Sequence, residues 1–183
     1  MGQISGFTPW KLVIGIICAE EQLPGSLPGH LEAQFGAIDY RSPVLPFDFT
    51  DYYRPEMGFP LFRFFLSFRC LLAPERLAEI KIAANAIEEE YRRPEGGRLV
   101  NLDPGLLNAS RFVLATTKDN SHRIPLEKGI YAELTLQFAK KDFQVLPWTY
   151  PDYATREYRG ILRQIREIFY QTLKHGDGFR CNN

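Results

Sequence analysis

Residues 11–18 constrain the fold of this chain more than any other segment. They read Lys-Leu-Val-Ile-Gly-Ile-Ile-Cys. A short, continuous apolar run that is rich in β-branched residues is typical of a strand buried on both faces of a sheet. We therefore predict a central strand here, around which the other elements have to pack.

The next elements are expected in the order helix, strand, strand, helix and strand. Their ranges are 26–35, 37–49, 59–68, 74–91 and 98–102. Ser26 can cap the first helix and Gly36 can end it. The second helix carries an apolar stripe at helical spacing, and its charged residues, including Lys81 and Glu88, are expected to face solvent. This order predicts an α+β protein with a ferredoxin-like βαββαβ core.

Two alternatives stay open for residues 103–116. Asp103 followed by Pro104 favours a helix to about Ala115, because Asp caps helices and Pro suits their first position. Residues 112–116 read Phe-Val-Leu-Ala-Thr, and this run equally suits a strand.

An added β-hairpin is predicted after this segment. Its strands cover 121–126 and 130–138 and are joined by a three-residue loop. Gly129 at the third loop position suits a type I turn with a bulge. This register places Arg123 opposite Glu133 and points His122 to the apolar face. A register shifted by one residue would pair His122 with Glu133 instead.

The length of 183 residues suits one domain. We expect residues 1–183 to form a single domain that is ordered over about 8–175. A C-terminal helix capped by Thr155 and closed near Gly176 is predicted to end it. A loose tail is expected over 176–183.

Charge and cysteine content restrict the partners and the compartment. Lys+Arg and Asp+Glu are equal at 22 each, so no basic excess is present to attract a nucleic-acid backbone. The apolar run 12–18 is too short to cross a membrane and lacks the flanks of a signal peptide. Three widely separated cysteines predict reduced thiols. We expect a cytoplasmic monomer or homodimer that binds neither nucleic acid nor membrane.

Residues 101–133 crowd acid, base, hydroxyl and guanidinium groups among apolar runs. Buried polar groups are costly without partners, so this crowding suggests a built site. His122 is the expected general acid or base, and Asp51 and Asp103 are further catalytic candidates. Asp48 and Asp51 could hold a divalent cation through their oxygens, although Asp also serves in ordinary turns.

Ligand-binding candidates come from the same region and from a proline-bracketed aromatic segment, residues 146–153. Lys118 and Arg123 suit an anion, with Glu133 orienting the guanidinium. The alternative is an exposed ion pair worth about 1 kcal/mol or less. The aromatic segment can wall a pocket and stack on a planar ligand. The alternative is that it packs as a hydrophobic segment that seats the last helix. The full set of expected ligand-binding residues is Asn101, Lys118, Arg123, Tyr131, Glu133, Trp148 and Tyr150.

Six ordered blocks of the sequence resemble a known family. The blocks are 47–53, 100–105, 115–119, 121–124, 129–133 and 146–153. Together they are similar to an uncharacterised bacterial family, domain of unknown function 4416. The likeness extends from Lys11 to about Leu173. This resemblance implies no particular reaction, because the family has none established.

The sequence lacks the GxxxxGK[ST], GxGxxG, GxSxG and HExxH signatures of well-known enzyme classes. Our expectation is a small cytoplasmic enzyme that acts on an anionic, phosphorylated or nucleotide-like small molecule, with a divalent cation as the one cofactor considered. The alternative is a non-catalytic ligand-binding or protein-interaction module. The enzyme requires one pocket that joins Asp51, Asp103, His122, Arg123, Glu133 and Trp148. Scatter of these groups over separate surfaces as ion pairs and turn caps would contradict it, and a broadly apolar, exposed sheet face would favour a dimer or partner module.

Overall fold

One continuous antiparallel sheet organises the part of the chain that the computed structural model describes, residues 2–174. The strands of this part are β1 (Trp10–Cys18), β2 (Ile38–Arg41), β3 (Leu45–Pro46), β4 (Phe62–Leu72), β5 (Val100–Leu107), β6 (Arg111–Thr116), β7 (Ile124–Pro125), β8 (Tyr131–Ala139) and β9 (Asp142–Val145). The helices are α1 (Leu27–Phe35), α2 (Arg54–Met57), α3 (Leu77–Glu90) and α4 (Arg156–Lys174). The predicted α+β class is confirmed.

The strand order is β2-β4-β1-β5-β6-β8-β7, with β3 added beside β4 and β9 beside β8. β1 pairs with β4 on one side and with β5 on the other, so it is a central strand as predicted. Its side chains alternate between two cores, because successive residues of a strand point to opposite faces. Ile14 and Ile16 pack with α1 and α3, whereas Val13 packs with α4.

The helix alternative for residues 103–116 is wrong, and the strand alternative is confirmed. β5 runs through Asp103, Pro104 and Gly105, with Pro104 opposite Ile14 of β1. Gly105 is required because a Cβ there would lie 2.7 Å from the Phe112 ring. β5 pairs with β6 only from Gly105 onward, and Pro104 has no N–H with which to extend that pairing.

The predicted register of the hairpin is confirmed, although its first strand is shorter than expected. Ile124 lies opposite Ala132, and the Leu126 N–H donates to the Ile130 carbonyl. Gly129 has a φ of 76°, as the predicted bulge requires. Residues 121–123 lie outside the strand, so the in-and-out alternation of a strand does not apply to them.

The capping and compartment predictions have different outcomes. The Tyr158 N–H donates to Thr155 Oγ1, which confirms Thr155 as the cap of α4.

Cys18 is a buried free thiol, whereas Cys70 is disulfide-bonded, so reduced thiols were the wrong expectation for Cys70. No helix within 2–174 is long and apolar enough to cross a membrane. The cytoplasmic location stays a prediction, and the predicted stop at Gly176 and tail 176–183 lie outside the described residues.

Candidate functional site

A cleft of about 810 Å³ opens where β5 and β6 separate. Asn101 and Asp103 of β5 form one wall, and residues 114–118 form the facing wall. α3 closes one side of the cleft. The segments 49–56 and 150–153 supply most of its aromatic lining.

Two buried charged residues of α3 form hydrogen bonds with the main chain of β5 at Leu102, where β5 no longer pairs with β6. Lys81 Nζ donates to the Leu102 carbonyl over 2.8 Å, and the Leu102 N–H donates to Glu88 Oε1 over 2.6 Å. Lys81 and Glu88 are only 7% and 4% exposed, so the expectation that they face solvent is wrong. A buried main-chain group needs a hydrogen-bond partner, and these side chains supply it beyond the reach of β6.

The same face of α3 presents a third polar side chain, Asn85, to the cleft. Asn85 lines the cleft between Lys81 and Glu88, and its amide makes no hydrogen bond within the described residues. These three residues recur at i, i+4 and i+7, the spacing of one helix face. This polar stripe is the sequence signal that could have identified the α3 wall.

Arg63 forms the charged floor of the cleft, and sequence reasoning missed it. It is 2% exposed and donates from Nη1 to Asp103 Oδ2 over 3.0 Å and from Nη2 to Asp152 Oδ2 over 2.9 Å. Its guanidinium carbon lies 5.0 Å from the centre of the Phe47 ring. Burial raises the pKa of Asp152, and the charge of Arg63 opposes that shift. The two carboxylates therefore fix the guanidinium from both sides.

A hydrogen-bonded network extends from this floor to α3. Asn101 Nδ2 donates to Asp103 Oδ1 over 2.9 Å, and its Oδ1 accepts from Arg98 over 3.0 Å. Arg98 forms two bonds of 2.8 Å with Glu56 and one of 3.0 Å with Glu88. Both the oxygen and the nitrogen of the Asn101 amide therefore have a protein partner. Asp103 keeps 25% of its side chain exposed, and it is the candidate catalytic carboxylate that lines the cleft.

Among the described residues, Lys118 is the cationic side chain of the lining that no carboxylate neutralises. Its Nζ lies 3.9 Å from the centre of the Tyr52 ring, and it makes no salt bridge within residues 2–174. The other cations of the lining are all in salt bridges within that range. They are Arg63, Lys81, Arg92 and Arg98.

Arg123 and His122 lie behind the cleft wall and both bind Glu133. Arg123 Nε and His122 Nε2 lie 2.8 Å and 3.0 Å from Glu133 Oε2. Glu133 is 1% exposed, so the alternative of an exposed surface pair is wrong. The expectation that His122 points to the apolar face is also wrong, because residues 121–122 form a turn rather than a strand. The His122 ring stacks on Trp148 with centres 5.3 Å apart.

Tyr150 lines the cleft, whereas Trp148 and Tyr131 do not belong to its lining. Trp148 donates its indole N–H to the Leu134 carbonyl, and Tyr131 pairs with Thr116 in the sheet. Burial raises the pKa of Tyr150, with Glu133 adding to the shift. Tyr150 therefore stays a neutral hydrogen-bond donor at physiological pH.

Asp48 and Asp51 lie outside the cleft lining. Asp51 pairs with Arg54 over 3.0 Å on the surface, while Asp103 pairs with Arg63 inside the cleft. No group of three or more acidic, His or Cys side chains is placed to hold a metal ion within the range 2–174. The predicted cation site at Asp48 and Asp51 therefore lies outside the cleft and stays a prediction.

The family described as "Domain of unknown function (DUF4416)" matches residues 8–169. The chain therefore belongs to this family, whose description assigns no activity. No curated protein and no solved structure matches the chain significantly.

Proposed function

We propose that this member of the DUF4416 family is an enzyme that acts on a small anionic molecule with a planar ring, held in the cleft between β5 and β6. The observation that carries the proposal is Lys118, the cation of the lining without a salt bridge in the described part of the chain. A cation left unpaired beside a preformed cleft is suited to an anionic group.

The anionic group would be bound by Lys118. The contact of its ammonium with the Tyr52 ring is worth about 0.5–1 kcal/mol at an exposed site. A charge-assisted hydrogen bond to a phosphate or carboxylate is stronger than this contact. Replacement of the Tyr52 ring by an anion as the partner of the Lys118 ammonium would therefore be favourable.

The planar ring would lie among the tyrosines of the cleft. Tyr52 and Tyr53 contact each other edge to face at 5.0 Å between ring centres, and Tyr150 lies in the same lining. Ligand sites of about 300–1,000 Å³ accept drug-sized molecules, and the cleft falls in this range at about 810 Å³. On the α3 side, Asn85 offers the ligand an amide that makes no hydrogen bond to any other residue of the described range 2–174.

Asp103 is the proposed proton acceptor. It is partly exposed to the cleft, and Arg63 and Asn101 hold its two oxygens. A general base has to be fixed within hydrogen-bond reach of the proton that it removes. Asp103 lines the cleft and can therefore reach a bound ligand. His122 lies outside the lining and bonds to Glu133 instead.

We also propose that β1, α1, β2, β4, α3 and β5 form a ferredoxin-like core. The order β2-β4-β1-β5 within the antiparallel sheet supports this assignment. The packing of α1 and α3 in one core with β1 supports it as well. This analogy concerns the fold and carries no activity.

A thermal-shift screen tests the proposed function. The wild-type protein is heated with sugar phosphates, aromatic phosphates, nucleotides, aromatic carboxylates and inorganic phosphate. A ring-bearing anion should raise the melting temperature in a concentration-dependent way, because it binds the folded state alone. The hits are then incubated with wild type and with Asp103→Asn, and products are followed by mass spectrometry. Conversion by wild type that Asp103→Asn loses while it still binds is the expected result.

A non-catalytic ligand-binding module is the second candidate. Its supporting observation is that both Asp103 oxygens are hydrogen-bonded and that His122 lies outside the cleft lining. Binding of a hit without conversion under any condition would favour the module and contradict the enzyme. Absence of binding by every ring-bearing anion would contradict both.

A further inference from the structure

We infer that Arg123 is a positioning residue that holds three parts of the cleft wall together without contacting the ligand. The inference rests on the proposed function, because it concerns the same cleft. It replaces the expectation that the Arg123 guanidinium grips an anion directly.

The three nitrogens of the Arg123 guanidinium each bind a different part of the wall. Nε donates to Glu133 Oε2 over 2.8 Å, and Nη1 donates to the Lys118 carbonyl over 2.8 Å. Nη2 donates to the Tyr150 hydroxyl over 2.5 Å. Glu133, Lys118 and Tyr150 all line the cleft, whereas Arg123 does not.

The burial of Arg123 excludes it from direct ligand contact. Its side chain is 6% exposed, and the carboxylate that it binds is 1% exposed. An incoming anion would have to displace the Glu133 carboxylate from a buried ion pair, and breaking such a pair is strongly unfavourable. Lys118, by contrast, lines the cleft with an ammonium that forms no salt bridge in the part of the chain that the structure describes.

The three partners come from segments that are distant in sequence. Lys118 follows β6, Glu133 lies in β8, and Tyr150 precedes α4. A planar guanidinium can hold three acceptors in fixed directions at once, which a flexible lysine ammonium does not do. Arg123 therefore sets where the proposed anion-binding Lys118 sits relative to the stacking ring of Tyr150.

Arg123→Lys tests this role, with Arg159→Lys as the matched control. Arg159 also combines a carboxylate partner, Asp142, with main-chain acceptors, the Phe143 and Thr155 carbonyls. It lies outside the cleft lining. The probe is phenyl phosphate, which combines a planar ring with an anion, and its affinity is measured by calorimetry at a temperature where all variants are folded.

Arg123→Lys should bind phenyl phosphate about fivefold or more weakly than wild type, since it loses at least one wall hydrogen bond. Arg159→Lys should bind as wild type does. Amide hydrogen exchange of residues 116–121 should accelerate in Arg123→Lys and stay unchanged in Arg159→Lys. If Arg123→Lys does not fold, Tyr150→Phe keeps the ring and removes the acceptor of Nη2. Hydrogen exchange of residues 116–121 is then the deciding measurement, because the Tyr150 hydroxyl itself lines the cleft; faster exchange supports the positioning role, and unchanged exchange would overturn it.

The outcomes separate this inference from the proposed function. Wild-type affinity in Arg123→Lys, together with lost binding in Lys118→Ala, would overturn the positioning role and leave the proposed function standing. Equal loss of affinity in Arg123→Lys and Arg159→Lys would also overturn it. Absence of phenyl phosphate binding by the wild type would overturn the positioning role as stated here, whereas the proposed function is overturned only if every ring-bearing anion of the screen fails to bind.

Discussion

Arg63 Nη2 lies 2.9 Å from Asp152 Oδ2, and both side chains are almost fully buried. The pair joins β4 to the segment that leads into α4. Removal of one partner from a buried ion pair leaves an uncompensated charge and costs about 3–5 kcal/mol. We expect Arg63→Met to lower the free energy of unfolding by about this amount, measured by urea denaturation.

The double variant Arg63→Met with Asp152→Asn is the control for this prediction. It also replaces the Asp152 carboxylate, which Arg63→Met leaves buried without its cation. The double variant should therefore be more stable than Arg63→Met alone. Equal stability of the two variants would show that the charge of Asp152 does not set the cost.

Gly15 provides a prediction about packing at the same floor. A Cβ on Gly15 would lie 2.8 Å from Arg63 Nη1 and 2.9 Å from the Tyr153 hydroxyl. Overpacking of this kind typically costs about 1–3 kcal/mol, so Gly15→Ala should lower the free energy of unfolding by that amount. Gly29, in α1, has nothing within 4 Å of its added Cβ. Gly29→Ala should instead stabilise the protein by about 0.5–1 kcal/mol. The same sign for both variants in chemical denaturation would contradict this account.

The Glu56–Arg98 pair predicts a pH dependence of stability. Hydrogen bonding to Arg98 lowers the pKa of Glu56 from its ordinary value of 4.5, with burial acting in the opposite direction. A lowered pKa in the folded state stabilises the protein above the ordinary value, and this contribution is lost as the pH falls through the lowered pKa. Glu56→Gln should therefore reduce the free energy of unfolding by about 0.5–1 kcal/mol near neutral pH.

The difference between wild type and Glu56→Gln should shrink as the pH falls below about 4. Urea unfolding at several pH values measures it. A difference that stays constant from neutral to acidic pH would mean that the Glu56 charge does not act through Arg98.

Local sequence patterns predicted the parts of the fold that depend on local interactions. The apolar run of β1 required burial on both faces, and the loop before Ile130 fixed the hairpin register through Gly129. The α+β class followed from these elements. Five residues of the predicted site line one cleft, and their role in a reaction or in ligand binding stays a prediction: Asn101, Asp103, Lys118, Glu133 and Tyr150.

The residues that were missed depend on non-local geometry. Lys81 and Glu88 are buried because β5 and β6 separate beyond Gly105. The polar stripe that they share with Asn85 marks one face of α3, but it does not report that two strands diverge beside that face. Arg63 lies in an apolar strand, so its partners Asp103 and Asp152 became visible only in three dimensions. The orientation of His122 was wrongly predicted because strand alternation was extended into a turn.

The central claim is that Lys118 binds the anionic group of a ligand in the cleft, and calorimetric titration with phenyl phosphate tests it most directly. Wild type and Lys174→Ala, which removes an exposed lysine of α4, should bind with equal affinity. Lys118→Ala should bind about tenfold or more weakly, as expected for the loss of one charge-assisted hydrogen bond. Equal affinity in Lys118→Ala and wild type, or no binding by the wild type, would contradict the claim.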